Sequence, residues 1–386
     1  MTQPVYINDL SVFLPNQPVL NSQIEDVLGR INEIPSLTKK TMLANNKIEK
    51  RYYAIDPSTG KFTHNNAQLT ARAVQKLLPY PGFTPGDIQV LSCGTTSPDV
   101  ILPGHGMMVA GELGVPPCEV VSTSGICLSG MTALKYAQMS IASGASTNGV
   151  CTGSELSSSF MRADFFTLGV DPDADIAQAP ILAFNADFLR WMLSDGAGAA
   201  YLANTPNPRG ISLKIEWIDM RSYAGELATC MYAGGKQNKD GSISGWREAE
   251  SCKDVVNGNL LAVKQDTQLL GRHIVNTMGQ ALESITEKRQ LRPEDVNWYL
   301  PHYSSHYFRA KFYQVMKEIG FEIPYEKWFT NLPYTGNVGS ASIYIIMEEL
   351  FKSGKLKKGE KLLCFIPESG RFSHCFMLLT VVQDGR

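Results

Sequence analysis

The segment TSGICLSG, residues 123–130, places Cys127 among small residues between two different hydrophobic patterns. Before it, residues 119–122 are typical of a short strand. After it, apolar residues recur with helical spacing as far as Ile141, and Gly144 is a suitable helix C-cap. The sequence therefore predicts a strand, a tight turn that carries the cysteine, and a buried helix.

The predicted position of Cys127 is typical of a nucleophile. A helix N-terminus presents unpaired N–H groups and the positive end of the helix dipole, which lower the pKa of a thiol and favour the thiolate. The N–H of Cys127 itself would point toward the oxygen of a bound thioester. A buried cysteine without any chemical role fits the same pattern, so two further segments decide between these readings.

Those segments are LPHY at residues 300–303 and GNVGSAS at residues 336–342. His302 follows a short apolar strand, and Asn337 lies in a glycine-flanked loop before a helix. A neutral histidine and an asparagine amide can both donate to one oxygen and thereby stabilise an enolate. Taken alone, His302 is equally typical of a buried core histidine, and Asn337 is equally typical of a turn residue. Together with Cys127 they favour carbon–carbon bond formation on thioesters.

Apolar strand-like runs and helical patterns alternate along the chain, which predicts an α/β fold whose strands are mostly parallel. The second half contains a strand at 298–301 and a helix at 340–351. Two similar halves, 1–205 with the cysteine and 206–386 with the histidine and asparagine, indicate a duplicated α-β-α-β-α five-layered core. The stretch 223–259 fits neither pattern, and its composition is consistent with the border of a substrate channel or with a surface excursion.

Composition excludes several classes of function. The chain has 386 residues, 44% hydrophobic and 19% charged, and a net charge of −2 gives no reason to expect a nucleic acid or an anionic membrane as partner. No apolar run has the length of a membrane span, and the N-terminus lacks the pattern of a signal peptide. The eight cysteines show no metal-binding spacing. We expect a reduced, cytoplasmic protein without metal or cofactor.

At these residues the chain resembles the ketoacyl-acyl carrier protein synthase III branch of the thiolase superfamily. The likeness extends to SDGAGAAY (194–201), DVNWYLPH (295–302) and LKKGEKLLC (356–364). It covers essentially the whole chain. It implies an α/β thiolase fold, a homodimer or a heterodimer with a paralogue, and ping-pong acyl transfer. The substrates it implies are acyl groups carried on acyl carrier protein or coenzyme A.

The resemblance also implies residue roles. Cys127, His302 and Asn337 would form the catalytic triad, and the N–H groups of Cys127 and Gly370 would form the oxyanion hole. Where the family has three glycines, this chain has Ser369-Gly370-Arg371 with Glu368 before it, and Leu102 replaces a glutamate that head-to-head condensing relatives carry before a proline. If a donor must be deprotonated without losing carbon dioxide, His302 or Glu155 is the expected base.

These departures favour a specialised ketosynthase of secondary metabolism or a fatty-acid-related pathway. Overall appearance suggests the subfamily that makes dialkylresorcinols or cyclohexanediones, polyketide-like products of two acyl thioesters. The donor would be a malonyl or β-ketoacyl thioester. Two alternatives stay open: an acyltransferase that uses an oxygen or nitrogen acceptor, and a non-catalytic partner subunit of a paralogous ketosynthase.

Overall fold

The structure is a computed structural model that describes residues 3–167, 187–238 and 240–383. The strands are β1 (Tyr6–Phe13), β2 (Val19–Leu20), β3 (Lys50–Arg51), β4 (Val90–Thr95), β5 (Glu119–Ser124), β6 (Asn148–Glu155), β7 (Gly196–Ala203), β8 (Ile211–Ser222), β9 (Met231–Tyr232), β10 (Gly235–Gln237), β11 (Ile243–Gly245), β12 (Lys264–Gln265), β13 (Trp298–Pro301), β14 (Lys361–Glu368) and β15 (Ser373–Gln383). The helices are α1 (Ile24–Leu28), α2 (Lys39–Asn46), α3 (Asn66–Gln75), α4 (His105–Leu113), α5 (Ser129–Ser143), α6 (Asp164–Thr167), α7 (Cys252–Asn257), α8 (Thr267–Arg289), α9 (Arg309–Glu318), α10 (Leu332–Thr335) and α11 (Ser342–Lys352).

Nine strands form one mixed sheet in the order β13-β14-β15-β8-β1-β7-β6-β4-β5. Strand β1 joins β8 through two residue pairs, Tyr6 with Lys214 and Ile7 with Leu213. Parallel pairing is confined to β4 with β5, β4 with β6, and β13 with β14. The prediction of mostly parallel strands is therefore wrong. One reason is local: only four residues separate β14 from β15, which is too short for a crossover and forces a hairpin.

Helices cover both faces of the sheet, and alternate residues of each strand pack against the helices on opposite faces. In β7, Ala199 and Tyr201 pack in the cluster that includes α3 and α4, whereas Ala200 and Leu202 pack in the cluster that includes α5 and α11. All eight residues of β7 are buried, as expected for a strand covered on both sides.

The other half of the sheet repeats this arrangement. In β14, Phe365 faces the cluster that includes α8 and α9, and Cys364 faces α5 and α11. Helices α5 and α11 thus form a central layer between two sheet halves, and the other helices cover the outer faces. The predicted five-layered α/β core is confirmed. The division at residue 205 stays a prediction.

Candidate active site

The Cys127 turn lies where the sequence predicted it, between β5 and α5, and Gly144 caps α5 with a left-handed backbone. Thr123 closes the turn, since its Oγ1 donates to the carbonyl of Ser129 at 2.8 Å. Cys127 is partly exposed and packs against the central hydrophobic cluster. The turn therefore presents the cysteine at the start of the central buried helix.

The Asn337 loop packs directly against this helix. A Cβ at Gly130 would lie 2.4 Å from the carbonyl oxygen of Ser340, and a Cβ at Gly153 would lie 2.2 Å from the same atom. Only glycine permits backbones to approach this closely. The loop after Asn337 therefore contacts Gly130 in the first turn of α5, just after the cysteine turn.

The side chain of Asn337 is oriented by its own loop. Its Oδ1 accepts from the N–H of Gly339 at 2.9 Å, and its backbone N–H donates to the carbonyl of Met192 at 3.0 Å. Gly339 has φ +50°, a conformation that suits glycine. Because the amide oxygen is occupied, the two N–H groups of Nδ2 are the ones left to donate to a ligand.

His302 follows β13, as predicted, and its backbone N–H donates to the carbonyl of Phe365 at 2.8 Å. The residue is buried, and its imidazole makes no hydrogen bond to another residue in the described part of the chain. Burial lowers the pKa of His302 to about 4. The imidazole is therefore neutral at physiological pH and can donate one N–H without carrying a charge.

Strand β14 connects the histidine to the cysteine turn through Glu368. The Oε2 of Glu368 accepts from the N–H of Ile126 at 3.0 Å and from the N–H of Leu128 at 2.9 Å, the two residues that flank Cys127. Sequence reasoning missed this role. The available signal was a single acidic residue just before the loop where the resembled family has three glycines, but nothing in the sequence pairs residue 368 with residue 127.

The prediction of a lowered thiol pKa is wrong. Burial first, and then the negative charges of Glu368 and Glu155, raise the pKa of Cys127 well above its usual range. The physical reason is that amides at the start of α5, which would stabilise a thiolate, already bind the Glu368 carboxylate. Cys127 is therefore a thiol at neutral pH, and acylation requires its proton to move.

Glu155, the other carboxylate near the thiol, has both oxygens engaged. Its Oε1 accepts from Thr96 Oγ1 at 2.7 Å and from the N–H of Ser340 at 3.2 Å, and its Oε2 accepts from Ser97 Oγ at 3.0 Å. Burial raises the pKa of Glu155 to about 7. The carboxyl thus ties the ends of β4 and β6 to the loop that follows Asn337.

Gly370 lies in the turn between β14 and β15, beside the cysteine turn. A Cβ on Gly370 would stand 3.0 Å from Cδ1 of Ile126. Its carbonyl accepts from the N–H of Cys230 at 2.8 Å, so the stretch 223–259 contacts this turn. Within the described residues, neither the N–H of Cys127 nor that of Gly370 donates to another protein group. Both are available to a ligand oxygen.

Across residues 3–167, 187–238 and 240–383, no cluster of histidine, cysteine, aspartate and glutamate could hold a metal ion. In the same ranges no helix combines the length and hydropathy that crossing a membrane requires.

Comparison with known proteins finds similar sequences and similar folds. Residues 286–368 match the family model "3-Oxoacyl-[acyl-carrier-protein (ACP)] synthase III C terminal". A β-ketoacyl-[acyl-carrier-protein] synthase III from Clostridium perfringens is 26% identical over 341 residues, which covers 86% of this chain and 88% of the relative.

Two solved structures share the fold. AbyA1, a tetronic acid condensing enzyme, superposes with a TM-score of 0.76 at 18% identity and covers 97% of this chain and 99% of its own. OleA from Xanthomonas campestris, solved with lauric acid and lauroyl-CoA, gives a TM-score of 0.72 at 18% identity and covers 98% of this chain and 100% of its own. The thiolase fold expected from the sequence is confirmed.

Proposed function

We propose that this chain, a ketosynthase III-like condensing enzyme of the acyltransferase type, joins two thioesters by a Claisen-type condensation through an acyl-Cys127 intermediate. Support for the proposal comes from hydrogen-bond donors without protein acceptors, on the cysteine turn and on segments that pack against it or connect to it through β14. The amide of Asn337 has its oxygen occupied and its N–H groups free. His302 is neutral, and the N–H groups of Cys127 and Gly370 have no protein acceptor among the described residues.

In the first half-reaction, Cys127 attacks the carbonyl carbon of an acyl thioester. The N–H groups of Cys127 and Gly370 hold the oxyanion, a contribution typically worth ~3–4 kcal/mol for one such donor. The carbon–sulfur bond to the carrier breaks, and the proton of the Cys127 thiol leaves with the carrier thiol. The raised pKa of Cys127 makes this proton transfer part of the step rather than something completed beforehand.

In the second half-reaction, a malonyl or β-ketoacyl thioester supplies the attacking α-carbon. His302 and Asn337 donate to the oxygen of its enolate, which is where negative charge accumulates. A neutral imidazole suits this role because one of its ring nitrogens carries an N–H that can donate to the enolate oxygen. The enolate forms when a malonyl thioester loses carbon dioxide or a β-ketoacyl thioester loses a proton from its α-carbon. The α-carbon attacks the carbonyl of acyl-Cys127, a carbon–carbon bond forms, and the carbon–sulfur bond breaks. The leaving thiolate takes up one proton, which restores the Cys127 thiol.

For the substrate, we infer acyl groups carried by an acyl carrier protein or coenzyme A, joined in dialkylresorcinol- or cyclohexanedione-like biosynthesis. The fold neighbours AbyA1 and OleA, the first a condensing enzyme and the second solved with lauroyl-CoA, support a specialised role. The departures Leu102 and Glu368 from the resembled family support it as well.

We also infer that the enzyme is a homodimer that pairs through β5. This strand lies at one end of the large sheet, so one of its edges has no neighbour in the described chain. Nearby, Ile101 and Leu102 are 65% and 81% exposed. An open strand edge beside exposed apolar side chains is characteristic of an interface, and a second copy of the chain supplies the matching edge.

The test of the proposal is product analysis. We expect the wild-type enzyme, given an acyl thioester with a malonyl or β-ketoacyl thioester, to release a product containing both chains. Asn337→Ala should lower the condensation rate by ~10²–10³-fold while acyl-Cys127 still forms, because the amide acts on the second half-reaction alone. Acyl transfer to an added alcohol or amine without any carbon–carbon product would favour the acyltransferase alternative. Full activity of a complex that contains Cys127→Ala would favour the partner-subunit alternative.

A further inference from the structure

The two oxygens of the Glu368 carboxylate have different surroundings. Oε2 is fixed by the N–H groups of Ile126 and Leu128. Oε1 accepts no hydrogen bond from any residue in the described ranges, and it lies 3.6 Å from the point where a Cβ of Gly370 would stand. Glu368 is only partly buried. One oxygen thus anchors the side chain beside the nucleophile, and the other is free on the side of the expected oxyanion hole.

We propose that Glu368 is the base that deprotonates the donor, so that the enzyme condenses β-ketoacyl thioesters without loss of carbon dioxide. This inference rests on the proposed function and deepens it, because it names the donor class. A donor without a free carboxylate must lose a proton from its α-carbon before it can attack. The free Oε1 is a proton acceptor on a carboxylate whose other oxygen is held by the amides on either side of the acylated residue.

The other candidate bases are less suitable. Both oxygens of Glu155 are occupied by Thr96, Ser97 and Ser340, so accepting a proton would disrupt the contacts that hold the Asn337 loop. The pKa of His302 is lowered to about 4, which makes its imidazole a weak base. Burial instead raises the pKa of Glu368, which strengthens it as a proton acceptor.

The step balances without any further reactant. Oε1 of Glu368 takes one proton from the carbon between the ketone and the thioester of the donor. The resulting electron pair attacks the carbonyl of acyl-Cys127, so a carbon–carbon bond forms and the carbon–sulfur bond to Cys127 breaks. The leaving thiolate takes the proton back from Glu368, and the raised pKa of Cys127 favours that return. Carboxylate and thiol are both restored.

Two substitutions separate this role from a structural one. Glu368→Gln keeps an oxygen that can accept from Ile126 and Leu128 but places an amide nitrogen where the free oxygen was. Glu368→Ala removes both the anchoring oxygen and the free oxygen. Each variant and the wild type are loaded with the acyl thioester that gives the most acyl-enzyme by intact mass spectrometry. Condensation is then measured separately with a β-ketoacyl thioester and with a malonyl thioester, whose enolate forms by decarboxylation.

We expect Glu368→Gln to form acyl-Cys127 at a rate within a few-fold of the wild type. Its condensation with the β-ketoacyl donor should fall by ~10²–10⁴-fold, and any condensation with the malonyl donor should stay within a few-fold. The inference is overturned if Glu368→Gln retains the β-ketoacyl reaction while Glu368→Ala loses it, since that pattern indicates anchoring alone. Equal loss with both donors, or loss of acylation, also overturns it. Absence of acyl-enzyme in the wild type would instead contradict the proposed function, on which this inference rests.

Discussion

At Cys127, two effects compete for the pKa of the thiol. The start of α5 offers positive dipole and amide donors, which favour a thiolate. Burial, the larger effect, and the charge of the Glu368 carboxylate oppose it and prevail. Glu368 also accepts from the amides of Ile126 and Leu128, so they are not free to stabilise a thiolate. A cysteine at a helix start therefore does not gain a lowered pKa when another side chain already binds the nearby backbone N–H groups. Cys127 is a protonated thiol, not a thiolate, and it loses its proton only when the substrate is bound.

This competition predicts a pH profile for alkylation. A raised thiol pKa means that the reactive thiolate is scarce at neutral pH, so the iodoacetamide rate at Cys127 should keep increasing as pH rises past 9. Glu368→Gln removes the negative charge and should shift the profile to lower pH, with faster alkylation at pH 7. Cys127→Ala gives the background from the other cysteines. A wild-type profile that levels off below pH 8 would contradict this account.

At the level of elements, the sequence predicted what local patterns determine. The β5–turn–α5 unit, β13 and the helix near residues 342–352 were predicted close to their observed positions, because hydrophobic periodicity and a glycine cap mark them. Strand direction was predicted wrongly, since the pairing of strands depends on partners far away in the chain. The contact of Glu368 with Ile126 and Leu128 was missed for the same reason.

The loop between α10 and α11 depends on a glycine. Gly339 has φ +50°, and a Cβ there would stand 3.0 Å from Cγ of the buried Glu155. We expect Gly339→Ala to lower the free energy of unfolding by ~1–3 kcal/mol, measured by urea denaturation. Gly271, in α8, has no atom near its virtual Cβ, so Gly271→Ala should stabilise the protein by ~0.5–1 kcal/mol. Equal effects of the two substitutions would contradict the account of the loop.

At the scale of the whole molecule, the five layers bring the loop after Asn337 and the end of β14 against the cysteine turn and the start of α5. Cys127 is carried by the first half of the sheet, and His302 and Asn337 by segments of the second half. Helices α5 and α11 pack together in the central layer, and the glycines at 130 and 153 let the backbones meet. The layers could be predicted from the sequence, and the roles of Cys127, His302 and Asn337 stay predictions. The contacts of Glu368 and Glu155 became visible only in the fold.

The open edge of β5 predicts the oligomeric state. We expect the wild-type protein to sediment as a dimer in analytical ultracentrifugation. The double variant Ile101→Asp with Leu102→Asp should sediment as a monomer, because it places two charges in an apolar contact. Ile34 is also well exposed but lies elsewhere in the chain, so Ile34→Asp should leave the dimer intact. A wild-type monomer that dimerises only with a paralogue would contradict the homodimer.

The central claim is that Cys127 carries an acyl group during turnover. Intact-protein mass spectrometry after incubation with a panel of acyl-carrier-protein and acyl-coenzyme A thioesters tests it most directly, with Cys127→Ala measured alongside. We predict a mass increase equal to the acyl group in the wild type and none in the variant. No increase with any thioester, or an equal increase in both proteins, would contradict the account.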